Sequence, residues 1–122
     1  MTTVRDIMSK DLVAVEPTST VAEAATMMGE RHVGSALVIE DERPTGIFTE
    51  RDVLRALGSD FDAAHHPVAD WMTHDPTTVD VSADVRAARN LMLDGGFRHL
   101  PVLESGRLVG IVSLRDISRA FE

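Results

Sequence analysis

GIFTERD at residues 46–52 and GIVSLRD at residues 110–116 decide the fold of this chain. Both heptapeptides read as glycine, two apolar residues, a threonine or serine, a variable residue, arginine and aspartate. They begin 64 residues apart. A complex pattern that returns at a fixed distance is the mark of an internal duplication.

The same offset aligns residues 4–56 with residues 68–120 without a gap, and 17 of the 53 paired positions are identical. We therefore divide the chain into a first repeat (residues 1–57), a linker (58–67) and a second repeat (68–122). A repeat of about 55 residues with three short strands can barely bury a core by itself. We expect the two repeats to pack with pseudo-two-fold symmetry and to leave two clefts at their junction.

Local signals predict the same elements in each copy. Thr20 and Glu23 form a capping box before the first long helix, and Asp84 takes the cap position of its counterpart, which the glycines at 95–96 end. Strand pairs follow at residues 36–39 with 46–48 and 100–103 with 108–112, polar turns at 40–45 and 104–107, and final helices at 50–57 and 114–121. The predicted fold is α+β, with a β-α-β-β-α order that occurs twice.

The composition narrows the classes of function. The 122 residues carry 12 Lys and Arg against 20 Asp and Glu, a formal net charge of −8. A field of that sign repels nucleic acids and anionic lipids, and no basic run offsets it. No apolar stretch approaches the ~20 residues that span a bilayer. The chain has no cysteine, which fits a reducing compartment. We expect a cytoplasmic protein that binds neither nucleic acid nor membrane.

The heptapeptides allow two interpretations. Threonine or serine followed by aspartate three residues later is an ordinary helix start, in which the hydroxyl accepts a backbone N–H and the acid offsets the helix dipole. The same atoms also suit a nucleotide, because a helix N-terminus attracts phosphate, a hydroxyl and an arginine add donors, and a carboxylate accepts from a ribose diol. The residues concerned are Thr49, Arg51, Asp52, Ser113, Arg115 and Asp116.

Residues 4–120 resemble a tandem pair of CBS domains, a family named for cystathionine β-synthase, in the arrangement called a Bateman module. The resemblance is carried by Asp-Ile-Met at 6–8, Asp-Trp-Met at 70–72, RHLPV at 98–102 and the two heptapeptides. It implies a regulatory ligand sensor that is not an enzyme and has no catalytic cofactor. The implied ligand is AMP, ADP, ATP, NAD, S-adenosylmethionine or another adenosyl compound, bound in clefts between the repeats.

The resemblance also implies roles for single residues. Asp52 and Asp116 would hold ribose hydroxyls, while Thr49 and Ser113 would contact phosphate. The first-strand residues Ala14 and Thr78 would border the adenine, and Arg98 and His99 would reach phosphate. In the first repeat Gly34 and Ser35 stand where the second has Arg98 and His99. We therefore expect two unequal sites, the first with the weaker hold on phosphate.

Other functions have less support in the sequence. The five histidines follow no metal-ligand spacing, so we expect solvated loop histidines and no metal site. No phosphate loop or nucleophile motif announces catalysis, which leaves a hydrolase as a remote hypothesis. The main alternative is a homodimeric interaction scaffold without a physiological nucleotide. Its second helices would bury apolar faces formed by Val53, Leu54, Leu57, Ile117, Ala120 and Phe121. Either module would act on a regulated protein that the sequence does not identify.

Overall fold

Each copy of the duplicated sequence folds into the predicted order of elements. The computed structural model describes residues 1–121. The first copy contains α1 (Val4–Ile7), β1 (Ala14–Val15), α2 (Val21–Arg31), β2 (Ser35–Glu40), β3 (Arg43–Thr49) and α3 (Glu50–Ser59). The second contains β4 (Thr73–His74), β5 (Val79–Asp80), α4 (Val85–Gly95), β6 (His99–Glu104), β7 (Arg107–Ser113) and α5 (Leu114–Ala120). The α+β class and the repeated β-α-β-β-α order are confirmed.

The chain divides into two compact units that regroup the two copies. One unit comprises residues 13–76, and the other joins residues 1–12 to residues 77–122. Each unit therefore holds the β-α-β-β-α core of one copy and the segment that precedes this core in the other copy. We call these segments, residues 1–12 and 68–76, the lead-in segments. The duplication does not reveal this exchange, because a sequence offset pairs equivalent residues and not residues in contact.

The unit of residues 13–76 is built on a four-stranded sheet in the order β1-β2-β3-β4. β1 runs parallel to β2, and β2 and β3 form an antiparallel hairpin. β4 belongs to the lead-in segment of the second copy and pairs antiparallel with β3. Apolar residues of the sheet and of α2 form the core, which has Phe48 fully buried at its centre.

The unit of residues 1–12 and 77–122 repeats this plan. Its sheet has the order β5-β6-β7, again with one parallel and one antiparallel pair. Ser9, from the lead-in segment of the first copy, forms a bridge with Ile111, where the other unit pairs Thr73 with Ile47. Val4 of α1 is fully buried in the core of this unit.

The helix caps agree with the sequence prediction. The Thr20 amide donates to Glu23 Oε1 at 3.0 Å and the Glu23 amide donates to Thr20 Oγ1 at 3.0 Å, a complete capping box for α2. Hydrogen bonds from the amide and then the hydroxyl of Thr20 lower the pKa of Glu23, because they favour the charged carboxylate. Asp84 caps α4 by accepting from the Arg86 amide, and Gly96 ends that helix with a φ of 72°.

The hairpin turns are tighter than predicted. The first turn was expected over residues 40–45, but β3 already begins at Arg43. Asp41 and Glu42 both have positive φ, 51° and 66°, as do Ser105 and Gly106 in the second hairpin, 53° and 80°. Two central residues with positive φ match the right-handed twist of the strands. Without a glycine or asparagine at 41–42, the sequence carried no signal for so short a loop.

Two further expectations were wrong in detail. Ile117 was assigned to an exposed apolar face, but it is 1% exposed and belongs to the core of its own unit. His66 was taken as a solvated loop histidine, but it is half-buried against Trp71. It follows a short 3₁₀ turn, Phe61–His65, in which Ala63 is fully buried. The predicted linker thus contributes to the core.

Gly46 and Gly110 occupy equivalent positions in the two copies. Substitution of each glycine tests how the lead-in segment of the other copy packs against it. A Cβ on Gly46 would collide with the flexible end of Met72, whereas a Cβ on Gly110 would lie 2.8 Å from both Met8 Sδ and the Ser9 carbonyl oxygen. We predict that Gly110→Ala lowers the free energy of unfolding by about 2–3 kcal/mol and Gly46→Ala by less than about 1 kcal/mol, because a methionine can move and a paired backbone cannot. Urea denaturation measures both. An equal or larger effect at Gly46 would contradict this packing.

Candidate functional site

The corner between β3 and α3 is closed by reciprocal hydrogen bonds between Thr49 and Asp52. The Thr49 amide and hydroxyl donate to Asp52 Oδ2 at 2.9 and 3.2 Å. The Asp52 amide donates back to Thr49 Oγ1 at 3.4 Å. Asp52 is 8% exposed. The helix-start interpretation of the first heptapeptide is therefore correct, and a carboxylate lies at the positive end of α3.

The corner between β7 and α5 repeats this arrangement with fewer bonds. The Ser113 amide donates to Asp116 Oδ2 at 2.9 Å, and the Asp116 amide donates to Ser113 Oγ at 3.1 Å. Asp116 is half-buried, and Arg115 beside it is exposed. This corner therefore places a hydroxyl and a carboxylate together at the start of a helix, next to an exposed arginine in the sequence.

The structure brings Arg98 and His99 to the second corner. The Leu114 amide, the first of α5, donates to the Arg98 carbonyl at 2.8 Å. His99 is the cross-strand partner of Ser113. Arg98 is exposed and His99 is half-buried. Arg98 and His99, which the family resemblance predicts to contact phosphate, thus lie next to Ser113, whose hydroxyl is predicted to contact the same group.

The first corner has the same backbone arrangement but lacks the arginine and histidine side chains of the second corner. The Glu50 amide donates to the Gly34 carbonyl at 3.1 Å, and Ser35 pairs with Thr49 across the strands. Ser35 is buried. The charge that this corner offers to an anion comes from Arg51, which is exposed and already engaged in an interaction within the chain.

Ala14 and Thr78, predicted to border an adenine, lie on the far side of the hairpins from the corners. Ala14 is exposed on β1 and pairs with Leu37 of β2. Thr78 is half-buried immediately before β5. Two strand spacings, about 10 Å, separate β1 from β3 and β5 from β7. A mononucleotide can span that distance.

Sequence reasoning missed a polar cluster beside the first corner. Arg55 Nη2 donates to Asp52 Oδ1 at 3.3 Å and to the Trp71 carbonyl at 2.7 Å, and its guanidinium lies 5.3 Å from the centre of the Trp71 ring. Trp71 Nε1 donates to His66 Nδ1 at 3.3 Å, and His66 Nε2 lies 3.7 Å from Asp60 Oδ2. The signal available in the sequence was the replacement of Ile7 by Trp71 at an otherwise repeated position.

Charged groups away from the corners have displaced pKa values. An ion pair with Glu104 raises the pKa of Arg5, because the hydrogen bond and the charge of Glu104 favour the guanidinium. Hydrogen bonds from the Ser82 hydroxyl and amide lower the pKa of Asp80. Both effects stabilise local turns and lead-in contacts.

The described residues carry neither of two other kinds of site. Among residues 1–121, His, Asp and Glu side chains form no group of three that would hold a metal ion. Over the same range, none of the helices combines the length and the apolar character needed to cross a bilayer.

Comparison with known proteins identifies the family. The model of the CBS domain family matches residues 4–59 and again residues 68–122. The chain belongs to the CBS domain family. CBS domains thus account for nearly its whole length, as the resemblance implied.

Relatives and solved structures agree with this assignment. The "Uncharacterized 17.7 kDa protein in bps2 3'region" of Acidianus ambivalens is 43% identical over 98% of this chain and 73% of its own length. The CBS-domain containing protein ATU1752 from Agrobacterium tumefaciens has a TM-score of 0.92 and 32% identity, over 99% of this chain and 100% of that structure. Another relative, protein MK0525 of Methanopyrus kandleri, is longer, and this chain spans 60% of it.

Two similar structures contain adenosine compounds. CBSX2 in complex with AMP has a TM-score of 0.82 and 30% identity, over 98% of this chain and 95% of that one. The CBS domain pair of protein MJ0100, in complex with 5′-methylthioadenosine and S-adenosylmethionine, has a TM-score of 0.89 and 26% identity over the same shares. These two proteins of similar fold thus bind adenosine compounds.

The two aspartates are expected to differ in their contribution to stability. Asp52→Ala removes a buried carboxylate with three side-chain hydrogen bonds and leaves the Thr49 amide without its acceptor, while Arg55 keeps only its hydrogen bond to the Trp71 carbonyl. We predict a loss of about 2–3 kcal/mol for this variant and about 1 kcal/mol for Asp116→Ala, which removes one such bond. Urea denaturation measures the difference. If Asp116→Ala were the more destabilising change, the contacts described for the two corners would be wrong.

Proposed function

We propose that this chain is a non-catalytic regulatory module that binds an adenosine-containing nucleotide at its strand-to-helix corners. The observation that carries the proposal is the second corner, where Ser113, Asp116, Arg98 and His99 converge on the start of α5. A helix N-terminus and a guanidinium suit phosphate, and a carboxylate suits a ribose diol. The complexes of CBSX2 and MJ0100 support the same class of ligand.

The two corners should bind this ligand unequally. Gly34 and Ser35 supply neither the guanidinium nor the imidazole that Arg98 and His99 supply in the second repeat. A charge-assisted hydrogen bond to phosphate is about twice as strong as a neutral one. The second corner, with Ser113 as its hydroxyl donor, should therefore be occupied at lower ligand concentration.

Thermal denaturation with a ligand panel tests the proposal. We predict that at least one of AMP, ADP, ATP, NAD and S-adenosylmethionine raises the melting temperature. A ligand present at about 100 times its dissociation constant adds about 2.7 kcal/mol of stability, which corresponds to roughly 10 °C for a domain of this size. An unchanged melting temperature with all five compounds at millimolar concentration would overturn the proposal.

A substitution locates the ligand within the same assay. Asp116→Asn should weaken binding by about tenfold to a hundredfold, because it removes the charged acceptor but keeps an oxygen that can cap α5. Asp94→Asn is the matched control, since it removes the same charge from an exposed position of the same unit. Equal losses in the two variants would indicate a general effect of charge instead of a contact with the ligand.

An interaction scaffold is the second candidate function. Leu54 on α3 is 76% exposed, Leu57 is 43% exposed, and Phe121 after α5 is 43% exposed. Exposed apolar side chains on a helix are common at interfaces between chains.

Oligomeric state tests the scaffold independently of the nucleotide response, because a sensor could also be a homodimer. If α3 mediates self-association, Leu54→Asp combined with Leu57→Asp should convert the protein to a monomer in light scattering and leave the nucleotide response in place. Leu93→Asp on α4, also an exposed leucine, is the matched control. A wild-type protein that is monomeric throughout the micromolar range would rule out this scaffold.

A further inference from the structure

The two equivalent carboxylates differ in how many of their acceptor positions the protein already uses. An ionised carboxylate has about four lone-pair positions. Asp52 accepts two hydrogen bonds at Oδ2, from the amide and hydroxyl of Thr49, and one at Oδ1 from Arg55. About one acceptor position of the Asp52 carboxylate is therefore left unused. A ribose diol donates two hydrogen bonds, so Asp52 can accept both only if Arg55 moves away.

The Asp116 carboxylate accepts fewer hydrogen bonds from the protein than that of Asp52. It accepts one side-chain hydrogen bond, at Oδ2 from the Ser113 amide. Arg119 occupies the position on α5 that Arg55 occupies on α3, yet within residues 1–121 no hydrogen bond or ion pair joins Arg119 to Asp116. About three acceptor positions of Asp116 are therefore available for donors from a ligand.

The lead-in segments explain why the two arginines behave differently. Each unit contains the lead-in segment of the other copy, so Trp71 lies beside Arg55 while its equivalent, Ile7, belongs to the unit that contains Arg119. Arg55 donates to the backbone carbonyl of Trp71 at 2.7 Å, a bond that any residue at this position could accept, and the indole ring, which only tryptophan supplies, lies 5.3 Å from the guanidinium. Aromatic rings attract guanidinium groups, and isoleucine offers no such surface.

Trp71 is itself held in place by neighbouring side chains. Its ring stacks on the His66 ring with an interplanar angle of 13° and donates to His66 Nδ1. His66 in turn faces Asp60. Arg55 is 53% exposed at its side chain and would otherwise be mobile, so these contacts fix it in the position from which it reaches the 11% exposed carboxylate of Asp52.

We infer that Arg55, positioned by Trp71, acts as an internal competitor for the ribose hydroxyls at Asp52, and that Asp116 is the carboxylate that takes the diol. This inference rests on the proposed function and specifies which corner binds the sugar. Arg55 is a positioning residue, because it acts through Asp52. The two corners then differ in two respects. The first corner has the poorer donors for phosphate, and its carboxylate has fewer acceptor positions left for a diol.

Titration with adenosine, the part common to all five panel compounds, tests the inference. Backbone amide chemical shifts in NMR detect weak binding and report each corner separately, and 2′,3′-dideoxyadenosine is the control that lacks the diol. We expect wild-type protein to bind adenosine in preference to the dideoxy compound with shifts at residues 113–116. Arg55→Gln should tighten the response at residues 49–52 by about threefold to fivefold, the effect of removing an exposed ion pair.

Matched variants separate competition from a general loss of charge. Arg119→Gln removes the same charge from the equivalent helix position and should leave both responses unchanged. Trp71→Ile places at position 71 the residue found at position 7 and should tighten the response at residues 49–52 in the same direction as Arg55→Gln. Because Trp71→Ile leaves the arginine in place, it tests the mechanism even if Arg55→Gln impairs folding.

The remaining outcomes contradict the inference in distinguishable ways. Weaker adenosine binding at residues 49–52 in Arg55→Gln would make Arg55 a ligand contact, and a similar gain in Arg119→Gln would make the effect one of net charge. No preference for adenosine over the dideoxy compound, in a protein that responds to the panel, would overturn the inference alone. No response to adenosine or to any panel compound would overturn the proposed function and the inference with it.

Discussion

The reciprocal bond between a hydroxyl residue and an aspartate three positions later is the constraint on which the rest of the molecule depends. In both units it joins the last residue of the second hairpin strand to the first turn of the following helix. It satisfies amides that the helix would otherwise leave unpaired. It also holds a carboxylate, a hydroxyl and the positive end of a helix at one corner, so the atoms that terminate the strand are those a nucleotide would use.

Because each unit contains the lead-in segment of the other copy, the two corners have different surroundings. Because residues 1–12 pack with the second copy and residues 60–76 with the first, a substitution in one copy alters the environment of the other. The change from Ile7 to Trp71 therefore acts on Arg55 and, through it, on Asp52. Two corners with the same motif thereby acquire different numbers of available acceptors.

Much of this structure was predictable from local patterns. The 64-residue offset and the caps at Thr20 and Asp84 depend on nearby residues, which sequence displays directly. The hydrogen bonds of Arg55 to Trp71 and the burial of Ile117 depend on which segments meet in three dimensions. An alignment of one copy on the other contains no such information. The heptapeptides located the corners correctly, and the alignment of Gly34 and Ser35 with Arg98 and His99 predicted a difference between them. The further difference at Asp52 depends on contacts distant in sequence.

Carboxyl-carbon NMR of the aspartates in wild-type protein tests the central claim most directly, because it observes the proposed diol acceptors without a substitution. Addition of AMP should shift the Asp116 side-chain carboxyl resonance, leave that of Asp52 nearly unchanged, and have little effect on either when 2′,3′-dideoxyadenosine monophosphate replaces AMP. A shift confined to Asp52, or equal shifts with the two compounds, would contradict the account.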